Sequence, residues 1–72
     1  MSDYGFDKAK LAKCCGTFVN LYVKNYVEVH MSDEVLNEGW RMIRPISQTS
    51  QQAYVYMAFW AAGYAKAKEE IE

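Results

Sequence analysis

Thirteen consecutive residues, Ala53 to Ala65 (AYVYMAFWAAGYA), carry no charge, and the run closes where Lys66, Lys68, Glu69 and Glu70 appear. A helix needs roughly 20 apolar residues to cross a bilayer, so this stretch has to bury its surface against protein. Seventy-two residues make one domain, near the size at which a single core leaves little net stability. Covering so apolar a segment is therefore the main task of the remaining chain. The hydrophobic fraction of 51% and aromatic fraction of 15% speak for folding and against disorder.

The formal net charge of −1 provides no overall field towards nucleic acid or an anionic membrane. Nine acidic residues against eight basic ones are also too few for a DNA mimic. Cys14 and Cys15 are adjacent and close no useful loop, so an internal structural disulfide is not expected and a reducing compartment is. The first ten residues, MSDYGFDKAK, lack the apolar core of a signal peptide. These features together predict a cytoplasmic protein without a membrane segment.

Along the chain, Asp3 can cap a first turn, or Asp7 can join the first turn of a helix whose body begins near Lys8. From Lys10 the polar residues Lys13, Thr17, Asn20, Lys24 and Glu28 recur every three or four positions, which predicts one helix over about 7–29. On a wheel of 100° per residue, Leu11, Cys15, Phe18, Val19, Tyr22, Val23, Tyr26 and Val29 fill the opposite half, while Cys14 and Leu21 intrude on the polar side. An apolar face this wide implies two neighbouring elements. The segment FVNLYVKNYVEVH also alternates with period two, and a β-hairpin turning at Lys24-Asn25 is its rival reading. It lacks an Asn-Gly or Asp-Gly turn, so helix is preferred.

Ser32 followed by Asp33 and Glu34 is a helix start, with Met31 and Leu36 at the positions of a hydrophobic staple. A second helix over about 33–44 presents Leu36, Trp40 and Ile43 on one side and stops at Pro45. Gly39 in its middle is tolerable if something packs closely on the backbone there. Ser47, Thr49 or Ser50 can cap a third helix over about 48–71, whose tail offers the pairs Lys66–Glu70 and Lys68–Glu72. The expected architecture is a single all-α domain, residues 1–72, with two long antiparallel helices and a short middle one. The third helix is apolar nearly all round, so an oligomer, first of all a homodimer, is expected through it.

For chemistry the sequence offers little. Cys14, Cys15 and His30 share no metal-ligand spacing, Glu34 and Glu38 are a solvated pair one turn apart, and no phosphate loop or nucleophile elbow is present. Neither catalytic residues nor a metal or other cofactor are expected. Interfaces favour Tyr, Trp, Met and Arg, and this chain has six Tyr, two Trp and four Met. The candidate interface residues are Trp40, Trp60, Tyr54, Phe59, Tyr64 and Tyr22, some internal and some at the contact, with Arg41 and Arg44 as polar contacts.

Two alternatives belong to other classes. Helix two, the break at Pro45 and the opening SQTSQQ read as a helix-turn-helix in which Gln48, Thr49, Gln51 and Gln52 face base edges and Arg41 and Arg44 hold phosphates. Lys10, Lys13 and Lys24, with Thr17 and Asn20, suggest instead an oligomer that sequesters a small anionic ligand or nucleotide in a pocket of tyrosines and lysines. The C-terminal segment QQAYVYMAFWAAGYAKAKEE, about a third of the chain, resembles short helical accessory proteins of bacteriophages. That resemblance implies a modulator or inhibitor that binds a host protein inside the bacterial cell and occupies its surface.

Overall fold

The computed structural model describes residues 6–71, with side chains through Glu69; Asp3 and the side chains of Glu70 and Glu72 lie outside them. The described residues are helical and contain no strand, so residues 18–30 form no β-hairpin. Among the described residues there are four α-helices where three were expected: α1 (Lys8–Cys14), α2 (Leu21–His30), α3 (Asp33–Ile43) and α4 (Ser50–Ile71). A π-helical turn, Cys15–Val19, follows α1, and a 3₁₀ turn, Arg44–Ile46, follows α3.

The single helix expected over 7–29 is thus two. Asp7 starts α1 by accepting a hydrogen bond from the Ala9 N–H at 2.9 Å. The helix then widens into the π turn, where the Thr17 hydroxyl donates to the Lys13 carbonyl at 3.0 Å, an interaction that often bends helices. At Asn20 the backbone becomes fully extended, and the Asn20 side chain accepts from the Val23 N–H at 2.9 Å. The polar residue that seemed to continue one helix is the cap of the next.

Beyond this break α2 folds back beside α1. The Lys8 amine donates to the Met31 carbonyl at 3.3 Å across 23 positions of sequence, whereas a straight helix would separate those residues by ~35 Å. It also lies 3.9 Å from the Asp33 carboxylate, an exposed pair worth little by itself. At the bend a Cβ on Gly16 would come within 3.3 Å of the Lys24 side chain, so the lysine stem lies over bare backbone.

Helix α3 starts as its sequence predicts, with Ser32 Oγ accepting from the Val35 N–H at 3.3 Å and Met31 and Leu36 both in the core. Its end is one residue earlier than expected, because Pro45 falls inside the 3₁₀ turn. Ser47 closes that turn by donating from Oγ to the Ile43 carbonyl at 2.8 Å. Helix α4 opens with two capping bonds: Thr49 Oγ1 accepts from the Gln52 N–H at 3.1 Å and Gln52 Oε1 accepts from the Gln48 N–H at 2.7 Å.

The core gathers on one side of α4. Ala53, Tyr54, Met57, Ala58, Ala61 and Ala65 are buried there, against Leu11 and Cys15 from the first segment, Val23 and Val27 from α2, and Leu36 and Trp40 from α3. The condition under which Gly39 is tolerable is met, since a Cβ there would stand 2.9 Å from the Trp60 ring.

These contacts yield two expected outcomes in urea unfolding. Asn20→Ala removes the α2 cap and destabilises by ~1 kcal/mol, while Asn20→Asp keeps most of the native value. Gly39→Ala gains helix propensity of ~1 kcal/mol but displaces the Trp60 ring, an overpacking cost of ~1–3 kcal/mol, so it destabilises overall. On a Trp60→Ala background the same substitution stabilises, and that reversal of sign checks the contact.

Candidate functional site

The eight candidate interface residues do not converge on one patch. Trp40 and Tyr54 are core residues, 1% and 3% exposed. They form a three-ring cluster with Phe6, its centroids 5.2 Å (Phe6–Trp40), 6.0 Å (Phe6–Tyr54) and 4.7 Å (Trp40–Tyr54) apart. The Tyr54 hydroxyl accepts from the Asp7 N–H at 2.8 Å, tying the start of α1 to α4. Burial pushes the Tyr54 phenol above its ordinary range.

Trp60 and Tyr64 are half-buried along the flank of α4, 5.7 Å apart. Tyr64 meets Tyr26 at 6.5 Å and carries the Lys68 ammonium 5.6 Å from its ring centre. Tyr22 is exposed at the start of α2 and donates to the Glu69 carboxylate at 3.3 Å. Its phenol is pushed upward by desolvation and by the Glu69 charge. Around it Asn25, Tyr26, His30, Lys68 and Glu69 line an open groove of about 390 Å³ between α2 and the end of α4. Tyrosines and a lysine thus meet inside one chain.

Phe59 stands in water on the far side of α4 with Tyr56, 56% and 43% exposed. Arg41 is exposed on α3, and the Arg44 guanidinium reaches back to the Ser47 carbonyl at 3.4 Å. Between the two arginines Met42 is 58% exposed, and Ile46, four residues on, is 75% exposed. Tyr56, Met42 and Ile46 escaped the sequence reading. Tyr56 and Phe59 share the i,i+3 line that the phase of the apolar residues already contained, whereas Ile46 had no helical phase to read because it falls in the 3₁₀ turn.

Of the residues that a helix-turn-helix would use for base contacts, Thr49 and Gln52 are engaged in capping α4, while Gln48 and Gln51 face solvent. Among the described residues no three His, Cys, Asp or Glu side chains gather as a metal site, and no helix is long and apolar enough to cross a membrane. Comparison with protein-family models, with curated proteins and with solved structures finds no match for the chain.

The adjacent cysteines have opposite surroundings. Cys15 is fully buried in the core, and Cys14 is half-buried at a groove shared with Lys10, Lys13, Phe18 and Gln51. Burial, with a smaller contribution from Cys14, pushes the Cys15 thiol from 9.0 up to about 11. The native protein should therefore take up one equivalent of a thiol reagent at pH 8, at Cys14, and a second only on unfolding, as mass analysis of labelled peptides would show. An acid whose pKa is higher folded than unfolded stabilises the fold below the unfolded pKa. The Cys15 contribution is accordingly complete below pH 9 and lost as pH rises towards 11.

Proposed function

We propose that this chain is a non-enzymatic protein-interaction module of the cytoplasm, working as a homo-oligomer and acting by occupying the surface of a target protein. The observation that carries the reading is the exposed end of α3, where Met42 and Ile46 project into water beside Arg41. Met and Arg are enriched in protein contacts, and the two exposed apolar side chains lie four residues apart where α3 ends. The turn that carries Ile46 on from the end of α3 is held by the Ser47 hydrogen bond to Ile43 and by the fixed backbone angle of Pro45. A rigid anchor loses little freedom on binding. The phage-like C-terminal helix extends the proposal to the target, a bacterial host protein that the module inhibits or redirects.

The test is affinity capture from bacterial lysate with the full chain and with Met42→Glu/Ile46→Glu, both positions being exposed enough to tolerate the change. A specific protein retained by the wild type and reduced at least tenfold by the double variant supports the reading. Identical retention by both overturns it. A duplex-DNA titration at low salt tests the helix-turn-helix alternative, whose binding would fall steeply with salt; no binding is expected.

A further inference from the structure

Phe18 stands on an unexpected side of the first segment. Helical phase assigns it to the apolar half, away from Lys10, Lys13 and Thr17, yet its ring is 51% exposed and shares a groove with those three residues. The π turn Cys15–Val19 accounts for this, because its hydrogen bonds run to the fifth residue and redirect the side chains within it. Such turns are rare single insertions, frequently found at functional sites. Here the insertion leaves a large apolar ring outside the core cluster and sets it beside two ammonium groups.

The groove is open, about 270 Å³, and lies between α1 and the first turn of α4, which contributes Gln51. Among the described residues Lys10 and Lys13 take part in no ion pair. The net charge of −1 conceals how one-sided this region is, for residues 8–27 hold four lysines and no acidic residue. Lys24 lies elsewhere, its stem over Gly16, and Asn20 is occupied in capping α2. The Thr17 hydroxyl gives its proton to the Lys13 carbonyl, which leaves its oxygen to accept. The Gln51 amide faces solvent with both a donor and an acceptor.

Each part selects one piece of a ligand. Two ammonium groups without a carboxylate partner favour a phosphate, which lysine meets as a point charge. An exposed phenyl face favours a flat ring, since every base has a face that stacks on aromatic side chains, and a glutamine amide can both donate to and accept from a base edge. We propose that the groove formed by Lys10, Lys13, Thr17, Phe18 and Gln51 binds a nucleotide, its base on the Phe18 ring and its phosphate between Lys10 and Lys13. A cavity just short of the ~300 Å³ at which small-ligand pockets begin holds one such unit partly in water, so binding is weak. The unit is a free nucleotide or one residue of a single strand, which share this chemistry. The site is separate from the target surface at Met42 and Ile46.

Amide chemical shifts of the full chain, followed at low salt during titration with adenosine monophosphate, test it. Saturable shifts confined to the groove residues are expected, with a dissociation constant in the submillimolar range. Lys10→Gln/Lys13→Gln should weaken binding at least tenfold. Phe18→Ala should weaken the nucleotide at least fivefold while leaving the weaker binding of inorganic phosphate unchanged, and Phe18→Trp should restore it. All three side chains are exposed, and circular dichroism of each variant should stay helical. Oligoadenylate on the same chain identifies the source: at least tenfold tighter binding that falls steeply with salt assigns the single strand, and equal affinity assigns the free nucleotide.

An absence of saturable shifts, or shifts scattered beyond the groove, overturns the site. Inorganic phosphate binding as tightly as the nucleotide overturns the ring contact, as does unchanged affinity in Phe18→Ala. Adenosine binding as tightly as its monophosphate overturns the lysine contact. Met42→Glu/Ile46→Glu should leave these titrations unchanged, so loss of target capture and loss of nucleotide binding are told apart.

Discussion

Every other helix of this chain leans on the alanine side of α4. Ala53, Ala58, Ala61 and Ala65 are all buried, and their single methyl groups let three helices approach one axis without large side chains between them. The bulk that fills the remaining space comes from elsewhere: Trp40 from α3, Leu11 from α1, Val27 from α2 and Met57 from α4 itself, each at most 1% exposed. A core this small has little slack, and a void of one methylene is felt. The ring cluster of Phe6, Trp40 and Tyr54 joins the start of α1 to α3 and α4.

The break at Asn20 follows from this arrangement. The buried residues Leu11, Cys15, Val23 and Val27 drift around a continuous helix by about 40° for every four positions, so that Leu11 and Val27 would end up nearly opposite one another. One straight rod cannot press both against α4. The wide apolar arc in the sequence carried this information, as did Cys14 and Leu21 intruding on the polar side, and two neighbours were inferred from it. What the periodicity concealed was the identity of one neighbour: α1 and α2 are neighbours of each other. Asn20 fits the polar repeat and a capping position equally well, and only tertiary packing chooses between them.

Elsewhere local chemistry was readable because it is local. Ser32, Asp33 and Met31 mark the start of α3, and Gly39 announced a close approach that Trp60 makes. The aromatic inventory was legible as a list but not as an address. Trp40 and Tyr54 went inside, Trp60 and Tyr64 lie along a flank, and Tyr22 and Phe59 remained in water, because exposure depends on how the helices are turned against one another. Ile46 could not be placed beforehand, since it falls in the 3₁₀ turn, whereas Met42 lies within α3 and its phase away from Leu36 and Trp40 was readable.

The seven residues of α1 have a particular dependence. A helix of two turns does not persist alone in water, and the hydroxyl that receives the N–H of its cap residue, Asp7, belongs to Tyr54, 47 positions downstream. Synthesis proceeds from the amino end, so this segment emerges well before the helix that supports it. Helix α1 therefore gains its support only after α4 has been made, and the helix synthesised ahead of the other three settles only with the last of them.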